Sequence, residues 1–163
     1  MILYHGTNTI ITDIDLSLSK PYKDFGKAFY LSDDISQAKE IAISRSVFLG
    51  GNPIVNEYYF DESLLTNDNL SIKIFKEYSR EWGEFVLLNR DERNSDIMHN
   101  YDIVYGPIAD DRVGLQLRKF KDNIISMEDL VNNLKYVKGV SYQYAFCTEK
   151  AIKTLQKNEH HII

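Results

Sequence analysis

The chain has 163 residues, of which 44% are hydrophobic and 26% charged, values that predict one globular domain over residues 1–163. Its formal net charge is −5 with scattered basic residues, which excludes a general nucleic-acid-binding protein, and no apolar run approaches the ~18 residues of a membrane span. Cys147 is the only cysteine, which excludes an internal disulfide framework. With no basic leader visible, these features predict a cytoplasmic protein that does not engage a membrane.

Strands and helices are predicted in an interspersed order. Short apolar or alternating runs rich in Val, Ile and Tyr predict six strands: residues 2–6, 27–32, 54–60, 70–75, 101–105 and 142–147. Capping side chains followed by apolar residues at helical spacing predict four helices, which begin at Asp33 or Asp34, at Ser79, at Ser126 and at Thr148. The last of these is predicted to run through Leu155, and residues 109–120 indicate a further helix. Because the order has no βαβ regularity, it predicts an α+β fold.

Three short motifs lie on predicted strands. The first is Leu3-Tyr4-His5-Gly6-Thr7, and the second is Phe25-Gly26-Lys27-Ala28-Phe29-Tyr30-Leu31-Ser32-Asp33. The third, near the end of the chain, is Val140-Ser141-Tyr142-Gln143-Tyr144-Ala145-Phe146. A His-Gly pair can hydrogen-bond a small planar ligand through its ring and backbone, and a Tyr ring can form a wall of its pocket.

In this order the motifs resemble the ADP-ribosyltransferase superfamily of the poly-ADP-ribose polymerase and diphtheria-toxin type. That family has aliphatic-aromatic-His-Gly-Ser/Thr on its first strand and Phe-Gly-Lys-Gly-aliphatic-Tyr-Phe-small-Asp on its second. Its third strand begins with a catalytic Glu, at the place where this chain has Gln143. Over most of its length the chain is also similar to a compact bacterial group that shares Tyr-His-Gly, Asp-Phe-Gly-Lys-x-Phe-Tyr and Gln-x-x-Phe-x-Thr. The resemblance implies a split core of two antiparallel sheets packed face to face, with NAD in the cleft.

The resemblance also implies roles for individual residues. The catalytic residues would be His5, Tyr30 and Gln143, and the NAD-binding residues would be His5, Gly6, Thr7, Phe25, Gly26 and Tyr30. The Gly6 backbone would hold the nicotinamide carboxamide, Tyr30 would stack on its ring, and His5 would bond the adenosine ribose. The Gln143 oxygen can position the hydroxyl of the nicotinamide ribose, but it lacks the charge that stabilises an oxocarbenium-like sugar. This favours mono-ADP-ribosylation over polymer elongation.

The chain departs from the polymerase pattern on the helix after Tyr30. Ala38 and Ile41 stand where the polymerases have a Ser and a second Tyr. The second wall of the nicotinamide pocket would therefore come from elsewhere, with three candidate rings: Tyr58, Tyr59 and Trp82.

Several other polar residues have two interpretations. Glu84 either replaces the missing acid or lies on a helix surface. Asn89 and Arg90 either contact a phosphate or cap their helix. Asp110 and Asp111 fit the start of a helix better than a metal site. No metal is predicted, because Cys147 fits the core and the remaining histidines lack zinc-ligand spacing: His99, His160 and His161.

The resemblance implies an NAD-dependent mono-ADP-ribosyltransferase, with NAD as co-substrate and a macromolecular acceptor, either protein or nucleic acid. A small form without a regulatory domain is typical of bacterial toxins and effectors, which are commonly paired with a small antitoxin protein. Two alternatives stay open. The first is an NAD glycohydrolase, in which water replaces the acceptor, and the second is a catalytically silent domain that binds NAD or a protein.

Overall fold

The computed structural model describes residues 1–66, 68–95, 97–109, 111–134 and 139–163. Three strands form an antiparallel sheet in the order β1-β3-β7: β1 (Ile2–Thr7), β3 (Ile54–Phe60) and β7 (Leu155–Ile162). Four form a second sheet in the order β2-β6-β5-β4: β2 (Phe29–Leu31), β4 (Ile72–Ile74), β5 (Ile103–Pro107) and β6 (Tyr142–Phe146). The helices of the described ranges are α1 (Ile35–Leu49), α2 (Arg80–Arg90), α3 (Asp111–Lys121), α4 (Met127–Leu134) and α5 (Glu149–Ile152). The predicted α+β class is confirmed.

The two sheets pack against each other through an apolar cluster that includes Leu3 and Phe60 from one sheet and Phe29 and Phe146 from the other. Successive strand residues point to opposite faces, so the neighbours of these residues face outward. On the outer face of the four-stranded sheet, a second cluster packs Ala145 of β6 against three helices. It includes Trp82 and Val86 of α2, Val113 of α3 and Leu130 of α4.

The outer face of the three-stranded sheet is covered by α1. Ala38 and Ala42 of this helix are buried against Val55 of β3, and small side chains at these positions bring the helix close to the sheet. The order of layers is therefore helix, sheet, sheet and helices. Within the described residues, the helices are all too short or too polar to cross a membrane.

Two predictions about this architecture are wrong in part. The helix predicted from Thr148 through Leu155 ends at Ile152, and Leu155 begins β7, which pairs with β3 from Ile54↔Ile162 to Phe60↔Leu155. The second expectation, two antiparallel sheets, holds for β1-β3-β7 only. In the other sheet β4 runs parallel to β5, with Ile72 opposite Ile103. In both cases the outcome depends on pairing with a distant strand, which the local residues do not determine.

Candidate functional site

The first and second predicted motifs meet where the two sheets separate. Tyr4 and Ser32 form an isolated antiparallel bridge, with N–O distances of 2.8 Å and 2.9 Å between their backbones. Continuing that register would place Gly6 opposite Tyr30. Instead, the Tyr30 carbonyl accepts a hydrogen bond from Nδ1 of His5 at 2.7 Å. A gap between β1 and β2 therefore begins at the His-Gly pair.

By strand parity, Gly6, which is itself buried, turns its backbone N–H and C=O toward this gap. In an antiparallel ladder, successive residues point their backbone groups to opposite edges of the strand. Tyr4 uses both of its groups on Ser32, away from β3. Gly6 has the same parity as Tyr4, so it presents one donor and one acceptor on the same edge, side by side.

The His5 ring is fixed beside this edge in its neutral form. It stacks on Phe29, with ring centroids 4.4 Å apart and planes 25° from parallel. Because a carbonyl can only accept, Nδ1 has the proton in the bond to Tyr30. Burial lowers the pKa of His5 to about 4, so the ring is uncharged at neutral pH. Within the described residues Nε2 has no hydrogen-bond partner, and it can accept a hydrogen bond from a ligand hydroxyl.

The side chains of Tyr30 and Phe29 lie on opposite faces of β2, and His5 stacks on Phe29. Phe29 belongs to the cluster between the sheets, whereas Tyr30 packs against the outer cluster. The Tyr30 hydroxyl donates to the Gly26 carbonyl at 2.7 Å and accepts from the Phe25 N–H at 3.1 Å. Burial, together with the charge of Asp24, raises the pKa of Tyr30 well above its usual range. The hydroxyl thus stays protonated and holds the Phe25-Gly26 turn in place.

Asp24, which the sequence predictions did not single out, is the centre of a polar cluster. The residue is 7% exposed, and its carboxylate accepts hydrogen bonds on both oxygens. Oδ1 accepts from Arg90, at 2.8 Å from Nε and 2.5 Å from Nη2. Oδ2 accepts from the Ala109 N–H at 2.8 Å and from Nε2 of Gln143 at 3.1 Å. The signal was present in the Asp-Phe-Gly-Lys motif, whose first residue is Asp24.

Gln143 lies on β6, on the same face as Ala145 and Tyr30. Its amide NH2 is bound to Asp24, so its Oε1 points away from that carboxylate. Among the described residues Oε1 has no hydrogen-bond partner, which leaves it available as an acceptor. The structure therefore joins Tyr30 and Gln143 through the Asp24 cluster, and it joins His5 to Tyr30 through the backbone. His5 and Gln143 share no direct contact in the described part of the chain.

Three of the residues predicted to bind NAD are buried: Phe25, Thr7 and Gly26. Phe25 is fully buried, and its N–H and C=O are bonded to Tyr30 and to Nε2 of His99. Thr7 is 4% exposed. Gly26 lies against Asn89, whose Oδ1 would be 2.8 Å from a Cβ at that position and is buried without a partner in the described structure. Gly26 also has φ +81°, so both space and backbone conformation require glycine there.

The candidate rings for a second wall lie in different places. Trp82 is fully buried and its Nε1 donates to the Pro107 carbonyl at 3.0 Å, so it offers no ring face to a ligand. Tyr58 is 2% exposed and packs edge-on against Phe29, whereas Tyr59 is 43% exposed. The second wall is thus not provided by Trp82.

The residues with two interpretations are also placed. Glu84 is exposed and paired with Arg80 at 2.8 Å, which fits a helix surface. The Arg90 guanidinium is bound to Asp24 and to the Ala109 carbonyl. Asp110 lies outside the described residues, and α3 begins at Asp111. No group of three metal-binding side chains occurs in the described ranges.

A cavity of about 500 Å³ opens beside the Gly26-Lys27 turn, at the end of β6. Its wall includes Asn89, His99 and Thr148. Of the predicted site residues it contains Gly26 alone, so this cavity is distinct from the gap at His5. Cys147 also lines it, and burial raises the pKa of this thiol to about 12.

The fold and the site define an α+β protein in which two sheets separate at a His-Gly pair and Asp24, Arg90 and Gln143 form a polar cluster. A family model described as "Protein of unknown function (DUF3990)" matches residues 1–157, and the chain belongs to that family. Neither the curated proteins nor the solved structures gave a match to this chain.

Proposed function

We propose that the protein is an NAD-dependent mono-ADP-ribosyltransferase. The observation on which this rests is the edge of β1 at Gly6, where one N–H and one C=O point into the gap beside a neutral His5 ring. A primary carboxamide such as that of nicotinamide needs one donor and one acceptor side by side, which is what a strand edge offers. Nε2 of His5 would accept a hydrogen bond from a ribose hydroxyl.

In the proposed reaction the bond between nicotinamide and C1′ of the ribose breaks, and its electron pair leaves with nicotinamide. The ribose becomes oxocarbenium-like, an acceptor atom attacks C1′, and that acceptor loses its proton. Gln143 would hold the 2′-hydroxyl of this ribose through Oε1. The carboxylate nearest to it, Asp24, is paired with Arg90, so the site supplies little net negative charge. This supports a single transfer more than rapid elongation of a polymer.

We further propose that the protein acts in the cytoplasm, where NAD is abundant, as a toxin or effector that a small antitoxin protein inhibits. The end of α1 supports a protein partner, because three consecutive apolar side chains there are 71–83% exposed: Val47, Phe48 and Leu49. The acceptor is a protein or a nucleic acid. Co-purification with the product of the neighbouring gene tests the antitoxin, and co-purification should fail for Phe48→Asp.

The experiment that tests the activity measures nicotinamide release from NAD by the purified chain, with and without cell lysate. We expect release that depends on lysate, together with label from adenine-labelled NAD on a macromolecule. Gln143→Ala is the inactive control. Release of free ADP-ribose without labelled macromolecule would replace transfer by NAD glycohydrolysis. If there is neither release nor a rise in melting temperature at millimolar NAD, the proposal is wrong.

A further inference from the structure

We infer that Asp24 is a positioning residue, which sets the orientation of the Gln143 amide and thereby turns its oxygen toward the substrate ribose. The inference rests on the proposed function and names a further residue of the same site. An ionised carboxylate can only accept hydrogen bonds. Facing Oδ2 of Asp24, Gln143 must therefore present its NH2 group, and its Oε1 must point the other way. Asp24 thus fixes the orientation of the Gln143 amide, which would otherwise turn freely.

The surroundings hold the Asp24 carboxylate in place. Arg90 of α2 donates to Oδ1 from two nitrogens, and the Ala109 N–H donates to Oδ2 beside Gln143. Charge-assisted hydrogen bonds of this kind are shorter and about twice as strong as neutral ones. Asp24 is also joined to the turn that the Tyr30 hydroxyl holds, since Phe25 and Gly26 follow it directly. The carboxylate thus links three separate parts of the chain to β6.

The chain of contacts also polarises the amide. A hydrogen bond from Nε2 to a carboxylate increases the electron density on Oε1, which strengthens it as an acceptor. The 2′-hydroxyl of a ribose that is becoming cationic is a stronger donor than in the ground state. The contact from Oε1 to that hydroxyl should therefore act more on kcat than on KM.

Two variants separate positioning from a merely structural role. In Asp24→Asn the new amide can offer its NH2 group to Gln143, so Gln143 turns its oxygen inward and away from the ribose. We expect kcat for nicotinamide release to fall more than about tenfold, with KM for NAD changed less than about threefold. Asp122→Asn is the matched control, because it makes the same change at an exposed carboxylate at the end of α3.

Gln143→Glu gives a pH signature. Beside Asp24, the new carboxyl has a pKa above its usual value because two close carboxylates cannot both ionise easily. The charged or titratable groups of this cluster are Asp24, Arg90 and Tyr30. When protonated, the carboxyl donates to Asp24 and keeps an acceptor oxygen outward, as Gln143 does. When ionised, it is repelled by Asp24 and loses this orientation, and we expect that loss to outweigh the charge that it could offer the sugar. We expect activity within about threefold of wild type at pH 5 and more than about tenfold below it at pH 8.

The same variant is also measured by unfolding in denaturant, which needs no NAD. A folded-state pKa above the unfolded value means that the folded chain binds more protons, so stability relative to wild type should fall as pH rises from 5 to 8. This difference should be absent when Gln143→Glu is combined with Asp24→Asn. Even if Asp24→Asn alone fails to fold, Gln143→Glu decides the question.

Three results separate the inference from the proposed function. Identical pH profiles of wild type and Gln143→Glu in both activity and stability would overturn the role of Asp24, and so would an unchanged kcat in a folded Asp24→Asn variant. A wild-type chain that never releases nicotinamide overturns the proposed function and, with it, the role of Asp24 in the reaction. In that case the pH-dependent stability of Gln143→Glu would still establish the contact between the two side chains.

Discussion

Gly6→Ala tests the structural reason for the glycine in the His-Gly motif. A Cβ at Gly6 would lie 2.0 Å from the Ala38 carbonyl oxygen, 2.9 Å from the Ala38 carbonyl carbon and 3.0 Å from the Ala42 nitrogen. All three atoms belong to the backbone of α1, so no side chain can turn aside to relieve the overlap. β1 and α1 would have to separate by roughly 1.4 Å, the difference between 2.0 Å and the 3.4 Å at which ordinary contact begins.

Overpacking a well-filled core costs about 1–3 kcal/mol, and a contact between two backbones belongs at the upper end of this range. We therefore expect Gly6→Ala to lower the free energy of unfolding by about 3 kcal/mol. For a chain of this size, that is a fall in melting temperature of roughly 6–12 °C. Nicotinamide release should fall as well, because the edge that Gly6 presents would move with β1.

Denaturant unfolding followed by circular dichroism measures the change. Gly114→Ala is the matched control: Gly114 lies in α3, and the nearest atom to its added Cβ is Nη1 of Arg90 at an ordinary 3.8 Å. Alanine is favoured over glycine in a helix, so this control should be about 0.5–1 kcal/mol more stable than wild type. A Gly6→Ala variant within about 1 kcal/mol of wild type would refute the close approach of α1 to β1.

Three further predictions concern the site and the outer sheet. Lowering the pH from 6.5 to about 4 should reduce the free energy of unfolding of the wild type, relative to His5→Asn, by about 2 kcal/mol, because the unfolded His5 binds a proton that the folded ring excludes. Denaturant titrations measure this difference, and equal pH dependence in both chains would contradict the buried, neutral ring. Gln143→Ala should lower nicotinamide release at least about a hundredfold with an unchanged circular dichroism spectrum, and full activity would remove Gln143 from the site. Burial raises the pKa of Cys147 to about 12, so at pH 8 its thiol should react with a disulfide reagent at least about a hundredfold more slowly in the folded chain than in urea. Similar rates would show that the thiol is accessible.

The cluster at Asp24 could be predicted only in part. Its members are spread over the chain from position 24 to position 143, and no local pattern links an acidic residue to Arg90, the Ala109 backbone and Gln143. The motif residues around it were recognisable one by one. Their assembly, and the placement of Phe25 behind the site, follow from how the outer cluster packs on the four-stranded sheet.

Local hydrogen bonds explain which elements could be predicted from the sequence. The caps at Asp34, Ser79 and Thr148 accept from backbone N–H groups two or three residues ahead, so the residues that decide each helix start are adjacent in the chain. The apolar and aromatic residues of β1, β2 and β6 are enough to predict these strands from the local sequence. The His-Gly and Phe-Gly-Lys motifs lie on or beside such elements, which is why the candidate site was visible before the fold.

The last strand and the gap at His5 depend on tertiary pairing and could not be predicted from the sequence. Residues 155–162 are mostly polar and exposed, and they form β7 because β3, about a hundred residues earlier, offers an edge with unpaired backbone groups. The gap exists because β1 and β2 pair only at Tyr4 and Ser32, after which the two sheets diverge to enclose their core. Such pairings depend on backbone groups, which are the same in every residue, so the sequence does not encode them locally.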